Sequence, residues 1–144
     1  MDPCMYCDPG EKLNSLMKLV KKLRVSTLFI LRDQSFKGRC VLMFEEHRKE
    51  IDDISTDKQL LFIQDLSDAV SAIRSVFHPD KVNYAIFGDE VPHLHIHLVP
   101  KYKDGPLWGQ AFCAQAVEPL RIPEDALRKR IEELKEALDA RGGK

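Results

Sequence analysis

The chain has 144 residues, 44% of them apolar types and 31% charged, a mixture that can bury a core and is far from a disordered composition. Lysine and arginine number 22 against 23 acids, for a formal charge of -1. That balance excludes a protein whose main task is coating nucleic acid, because phosphate backbones demand a basic excess.

No run approaches the roughly 20 apolar residues of a membrane span. The first ten residues lack the basic-then-apolar pattern of a secretory leader. Four cysteines are too few for a disulfide-dense secreted scaffold, so a cytoplasmic protein with one domain over 1–144 is expected.

In chain order, Leu13, Leu16, Met17, Val20 and Leu23 fall at helical spacing and predict a short amphipathic helix over 11–23. Runs rich in β-formers at 25–31 and 40–44, separated by a loop containing Gly38, predict a hairpin. Thr56, with Gln59 three residues on, matches a capping box at the start of the longest helix. Its apolar face would be Leu60, Ile63, Leu66, Val70, Ile73 and Phe77. Pro79 closes it, since a proline disfavours helical geometry in the residue before it. Two more strands are predicted at 82–87 and 93–99, joined through Gly88, Asp89 and Glu90. A looser tail over 101–122 holds the single tryptophan, Trp108, expected to be exposed or packed on the core. Pro123, Glu124 and Asp125 open a final helix over about 124–140, with a stripe of Leu127, Ile131, Leu134 and Leu138. Short links between successive strands favour an α+β arrangement, an antiparallel sheet with flanking helices.

The strand over 93–99 carries the chemistry. His93, His95 and His97 alternate with Leu94, Ile96 and Leu98, so one face would present three imidazoles and the other three aliphatics. Same-face neighbours lie about 6.6 Å apart along a strand, close enough for adjacent rings to act on one small anion or metal. A single histidine on a strand is ordinarily a half-buried structural residue. Three of the five in the chain on one face point to a site, because protonated rings would repel one another and apolar residues would fold as well. Two chemistries use such a strand. The rings can bind a catalytic metal, or a neutral imidazole can attack a phosphate and split one displacement into two. Separately, Cys4 and Cys7 are either half of a zinc site or a redox pair, and the helix-start setting usual for the latter is absent.

The segment His93-Leu94-His95-Ile96-His97-Leu98-Val99 resembles the signature of the histidine triad (HIT) family of nucleotide hydrolases and transferases. The cysteine pair, Arg32-Asp33 after the strand over 25–31, Lys37-Gly38, and Glu46-His47 after the strand over 40–44 fall in that family's order. The resemblance covers about 4–100. It implies a HIT-like sheet of about five strands, a homodimer, and a nucleotide or nucleotide conjugate as substrate, with attack at the α-phosphate. On this basis His95 is the nucleophile that forms a nucleotidyl-histidine, His97 a phosphate-binding catalytic residue, and Asp33 a ribose ligand, although an aspartate is also common in turns. Cys4, Cys7, His47 and His93 would be the four ligands of a structural zinc.

The chain departs from the family pattern in two places. The loop over 87–92 is shorter and lacks the amides and hydroxyls that hold phosphate in many members, and Arg39 replaces a histidine after Lys37-Gly38. Arg39 is therefore a candidate substrate ligand through a charge-assisted contact, or a solvated strand-edge arginine. The tail around Trp108 is a candidate lid over the leaving group. Two rival functions stay open: a non-catalytic nucleotide-binding module and a hydrolase that uses the triad as metal ligands.

Overall fold

The computed structural model describes residues 4–141; residues 1–3, part of the stretch scanned for a leader, and 142–144 lie outside it. The elements are α1 (Glu11–Leu16), β1 (Met17–Lys22), β2 (Ser26–Leu31), β3 (Cys40–Phe44), α2 (Thr56–Phe77), β4 (Lys81–Ala85), β5 (His95–Lys101) and α3 (Glu124–Arg141), with short 3-10 turns at Ile51–Asp53 and Ala114–Ala116. The five strands form one sheet in the order β1-β2-β3-β5-β4, with every neighbouring pair antiparallel.

The period of two along the strands divides the interior into two layers. Leu28 and Ile30 of β2, Cys40, Leu42 and Phe44 of β3, and Ile96 and Leu98 of β5 belong to the main core, together with Leu94 and buried residues of α2 and α3. Phe29, Leu31, Val41 and Met43 point the other way and pack under Tyr6, Leu13 and Met17. The imidazoles of β5 share this second face, because His95 and His97 pair with Met43 and Val41. A strand covered on both sides has no alternating pattern to show, and all six residues of β2 are buried.

Of the helix expected over 11–23, only Glu11–Leu16 forms. The chain leaves α1 after Leu16 and continues as β1. Val20 packs in the main core and Met17 on the opposite face, as alternation dictates for residues three apart, and a bulge between Leu19 and Lys21 shifts the pairing with β2. A strand that buries one residue on each face three positions apart imitates a helix in the sequence.

The cap of α2 is Ser55 rather than Thr56. Ser55 Oγ accepts from Lys58 N at 3.3 Å, and Gln59 turns back to the carbonyls of Ile51 and Ile54 instead of boxing the cap. The stripe of α2 is also rotated from the expected one. Leu60 and Ile63 are exposed, whereas Phe62, Asp65, Ala69 and Ala72 are buried with Val70, Ile73 and Phe77. Asp65 is inward for a reason: it accepts from the backbone N–H groups of Arg24 and Val25 and from Ser26 Oγ, and so holds the start of β2. The stripe of α3 is as expected. Its end is tied to α2 by Arg141, which donates to Asp68 and Ser71. Gly38 cannot carry a side chain. Its φ is +89°, and a Cβ would stand 2.5 Å from the Phe77 ring.

No helix among the described residues is long and apolar enough to cross a membrane.

Candidate active site and metal centre

The three histidines divide between two places. His93 stands just before β5, 1% exposed, and its Nε2–H donates to Phe44 O at 2.7 Å. A carbonyl can only accept, so the proton is on Nε2 and the lone pair on Nδ1. That nitrogen lies 3.4 Å from Cys4 Sγ, 3.5 Å from Cys7 Sγ and 3.3 Å from His47 Nδ1, and Cys7 Sγ lies 3.3 Å from His47 Nδ1. All four donor atoms lie within 4.8 Å of one another. Bonds of about 2.0 to 2.3 Å to a central ion would place neighbouring donors about 3.3 to 3.8 Å apart. The group therefore fits one tetrahedral metal ion. Burial, followed by the nearby His47 and His95 rings, also pushes the His93 pKa down, although the bond to Phe44 O opposes this.

His95, two residues on, uses its ring in the opposite sense. Its Nδ1–H donates to His93 O at 2.5 Å, so in the neutral ring Nε2 keeps the lone pair. Tyr6, from the turn between the two cysteines, covers both rings, with centroids 5.4 Å from His93 and 5.2 Å from His95. Burial drives the Tyr6 hydroxyl well above its ordinary pKa.

His95 and His97 share a cavity of about 590 Å³ with Arg39, Tyr6, Phe112 and the loop after β4. The two rings meet edge to face at 5.1 Å. Burial first, then the neighbouring His95 and the cation of Arg39, pushes His97 down to a pKa of about 4, so it is neutral near pH 7. Arg39 is 8% exposed. Its guanidinium lies 4.7 Å over the Phe112 ring and makes no ion pair among the described residues. Burial lowers its pKa. Arg39 Nε and His97 Nδ1 are the buried side-chain nitrogens without a hydrogen-bond partner among the described residues, and both belong to this cavity wall. Arg39 Nε–H is thus a donor without an acceptor, and the neutral His97 ring has an unpaired nitrogen beside it in the same wall.

Asp33 is not among the residues lining that cavity. Its Oδ1 accepts from Ser35 N and Leu120 N at 3.0 Å each. Burial alone would raise its pKa, but these N–H groups outweigh that and hold the carboxyl below its usual range. Trp108 is 40% exposed and lies instead in a separate groove beside Lys101 and Asp80.

The tail meets the cavity through Phe112. Buried Lys101 donates to the carbonyls of Leu107 and Gln110 at 2.8 Å each and fixes the turn that delivers it. Nothing in the sequence marks Phe112, because it belongs to no periodic pattern. Tyr6 had a weak signal, since a turn closed by a metal must carry its inner residues somewhere.

A HIT domain model matches residues 12–104. A search of curated proteins returns no significant match. Among solved structures, a histidine triad protein from Marinobacter aquaeolei VT8 superposes with a TM-score of 0.82 at 20% identity, covering 92% of this chain and 96% of that one. A Zn-bound histidine triad family protein from Mycobacterium smegmatis gives 0.62 at 18% identity, covering 85% and 84%. The diadenosine triphosphate hydrolase of Plasmodium falciparum gives 0.62 at 15% identity, covering 85% and 77%. The matched model spans most of the chain, including β5 and the three alternating histidines, so the chain belongs to the HIT domain family.

Proposed function

We propose that the protein is a nucleotide hydrolase or nucleotidyl transferase that works through a covalent bond between His95 and the α-phosphate of its substrate. The observation that carries this is the hydrogen bond from His95 Nδ1 to His93 O, which leaves Nε2 as an aimed nucleophile. His97 and Arg39 offer donors for the phosphate oxygens, as their lack of protein partners suggests. The diadenosine triphosphate hydrolase neighbour is consistent with phosphoanhydride cleavage, and a phosphoramidate bond is open to the same attack.

The ion at Cys4, Cys7, His47 and His93 is zinc in this proposal, in keeping with two thiolates and two imidazoles and with the Zn-bound neighbour. Four protein ligands close its coordination, so its contribution is to pin the N-terminal turn to β5. A metal held by the whole triad fits less well, because His95 Nδ1 is taken by a carbonyl and His93 faces the thiols.

A second copy of the chain is the proposed partner. Asp33 is proposed to staple the 33–35 turn to Leu120 rather than to touch ribose, given its two backbone contacts.

The test is an intact mass spectrum of protein quenched during turnover of a nucleotide conjugate. One nucleotidyl group is expected on the wild type and none on His95→Asn, which should remain folded and inactive. Turnover that survives in His95→Asn would end the proposal.

A further inference from the structure

The cavity in front of His95 is charged unevenly. Its wall holds one permanent cation, Arg39, and two carboxylates, Asp89 and Glu90. The positive charge is deep: Arg39 is 8% exposed and its Nε has no partner. The negative charges are shallow, because Asp89 and Glu90 are exposed on the loop between β4 and β5. His97 adds nothing near pH 7, being neutral.

One buried cation balances one phosphate monoanion. Each further phosphate carries additional negative charge outward, toward a rim that already holds two like charges. A leaving group that departs as an ammonium meets the opposite field.

We propose that Asp89 and Glu90 act as a charge filter at the cavity mouth, favouring nucleotides whose α-phosphate is joined to an amine and rejecting polyphosphates. The binding side of this rests on the cavity itself; only the turnover side rests on the function proposed above. In that turnover His95 Nε2 bonds to phosphorus as the phosphorus–nitrogen bond breaks. The electron pair leaves with the amine nitrogen, which takes a proton from solvent and departs as an ammonium. Water then attacks phosphorus and gives a proton to solvent, and the pair of the phosphorus–histidine bond returns to Nε2. The net change is one water consumed, with a nucleoside monophosphate and an ammonium released.

The experiment compares wild type with an Asp89→Asn/Glu90→Gln double variant, both metal-loaded, in magnesium-free buffer. Calorimetry measures AMP, ADP and ATP binding; kinetics compares AMP linked through phosphorus to a primary alkylamine with diadenosine triphosphate. Wild type should bind ATP at least tenfold more weakly than AMP, and the double variant should shrink that ratio at least fivefold. In turnover, wild type should prefer the phosphoramidate at least tenfold in kcat/KM. The variant should narrow this at least threefold by gaining on the triphosphate. ATP binding as tightly as AMP in wild type, or an unchanged ratio in the variant, overturns the filter. If neither substrate is turned over while the binding order and its loss persist, the hydrolase assignment falls and the filter stands.

Discussion

Arg39 and His97 show how a site can cost stability for the sake of a ligand. A guanidinium that is buried with an unpaired Nε, and with only the more distant field of Asp33 to offset it, loses hydration and gains little in return. Arg39→Met should therefore leave the melting temperature unchanged or higher while weakening nucleotide binding tenfold or more, measured by a thermal melt beside calorimetry. Equal affinity in the variant would remove Arg39 from the site. His97 makes a pH prediction with a definite sign. Its folded pKa of about 4 lies below the ordinary 6.5, so as pH falls from about 6.5 to 4 the unfolded chain takes up the proton first. Stability is full above that window and is lost through it, by at most about 3 kcal/mol. The groups facing the ring are His95, Arg39, Phe87 and Phe112. The metal ligands also protonate in acid, so the measurement is the difference in urea midpoint between wild type and His97→Gln at pH 4.5 and pH 7. Parallel slopes in the two proteins would contradict it.

Among the elements, the turn over 4–8 has the largest influence relative to its size. It supplies two thiols of the candidate metal centre and also Tyr6, which covers His95, and Met5, which reaches the cavity. Withdrawal of the ion would release both. Chelation, or Cys4→Ser with Cys7→Ser, is expected to lower the melting temperature by about 10 °C, on the scale of a few kcal/mol for a chain this size. Elemental analysis should show one zinc lost per chain. A chain that keeps its melting temperature and its metal after both cysteines are replaced would refute the ligand set. Buried Asp65 does comparable work on the opposite face of the sheet. Its three short contacts to 24–26 fix where β2 begins, and an unpaired pair of backbone N–H groups there would be costly.

For the molecule as a whole, the sheet has two edges, and β4 is the one beside the site. Tyr84 of β4 and Ile63 of α2 are half or more exposed and border one groove; Ile86 and Phe87 extend the apolar surface toward the cavity. An edge with free backbone groups and apolar flanks invites pairing with a second copy. Sedimentation is expected to give a dimer for wild type and a folded monomer for Ile63→Asp/Tyr84→Asp. A wild-type monomer at tens of micromolar would reject that partner.

Alternation at 93–99, the closing proline after α2 and the stripe of α3 are short-range patterns that hold under any neighbours. They sufficed to place the histidine strand, the last helix and the antiparallel architecture. The pairing of Cys4 and Cys7 with His47 and His93 came from family resemblance, and the folded chain brings those four together. Other features depended on contacts distant in sequence. Burial on both faces made β1 look helical, the need for a carboxylate at the start of β2 turned Asp65 inward and rotated the face of α2, and Phe112 came to Arg39 through a turn held by Lys101. Periodicity reports only which side of an element is wet, whereas bulges, buried charges and cavity walls are settled by partners that meet only after the chain has folded.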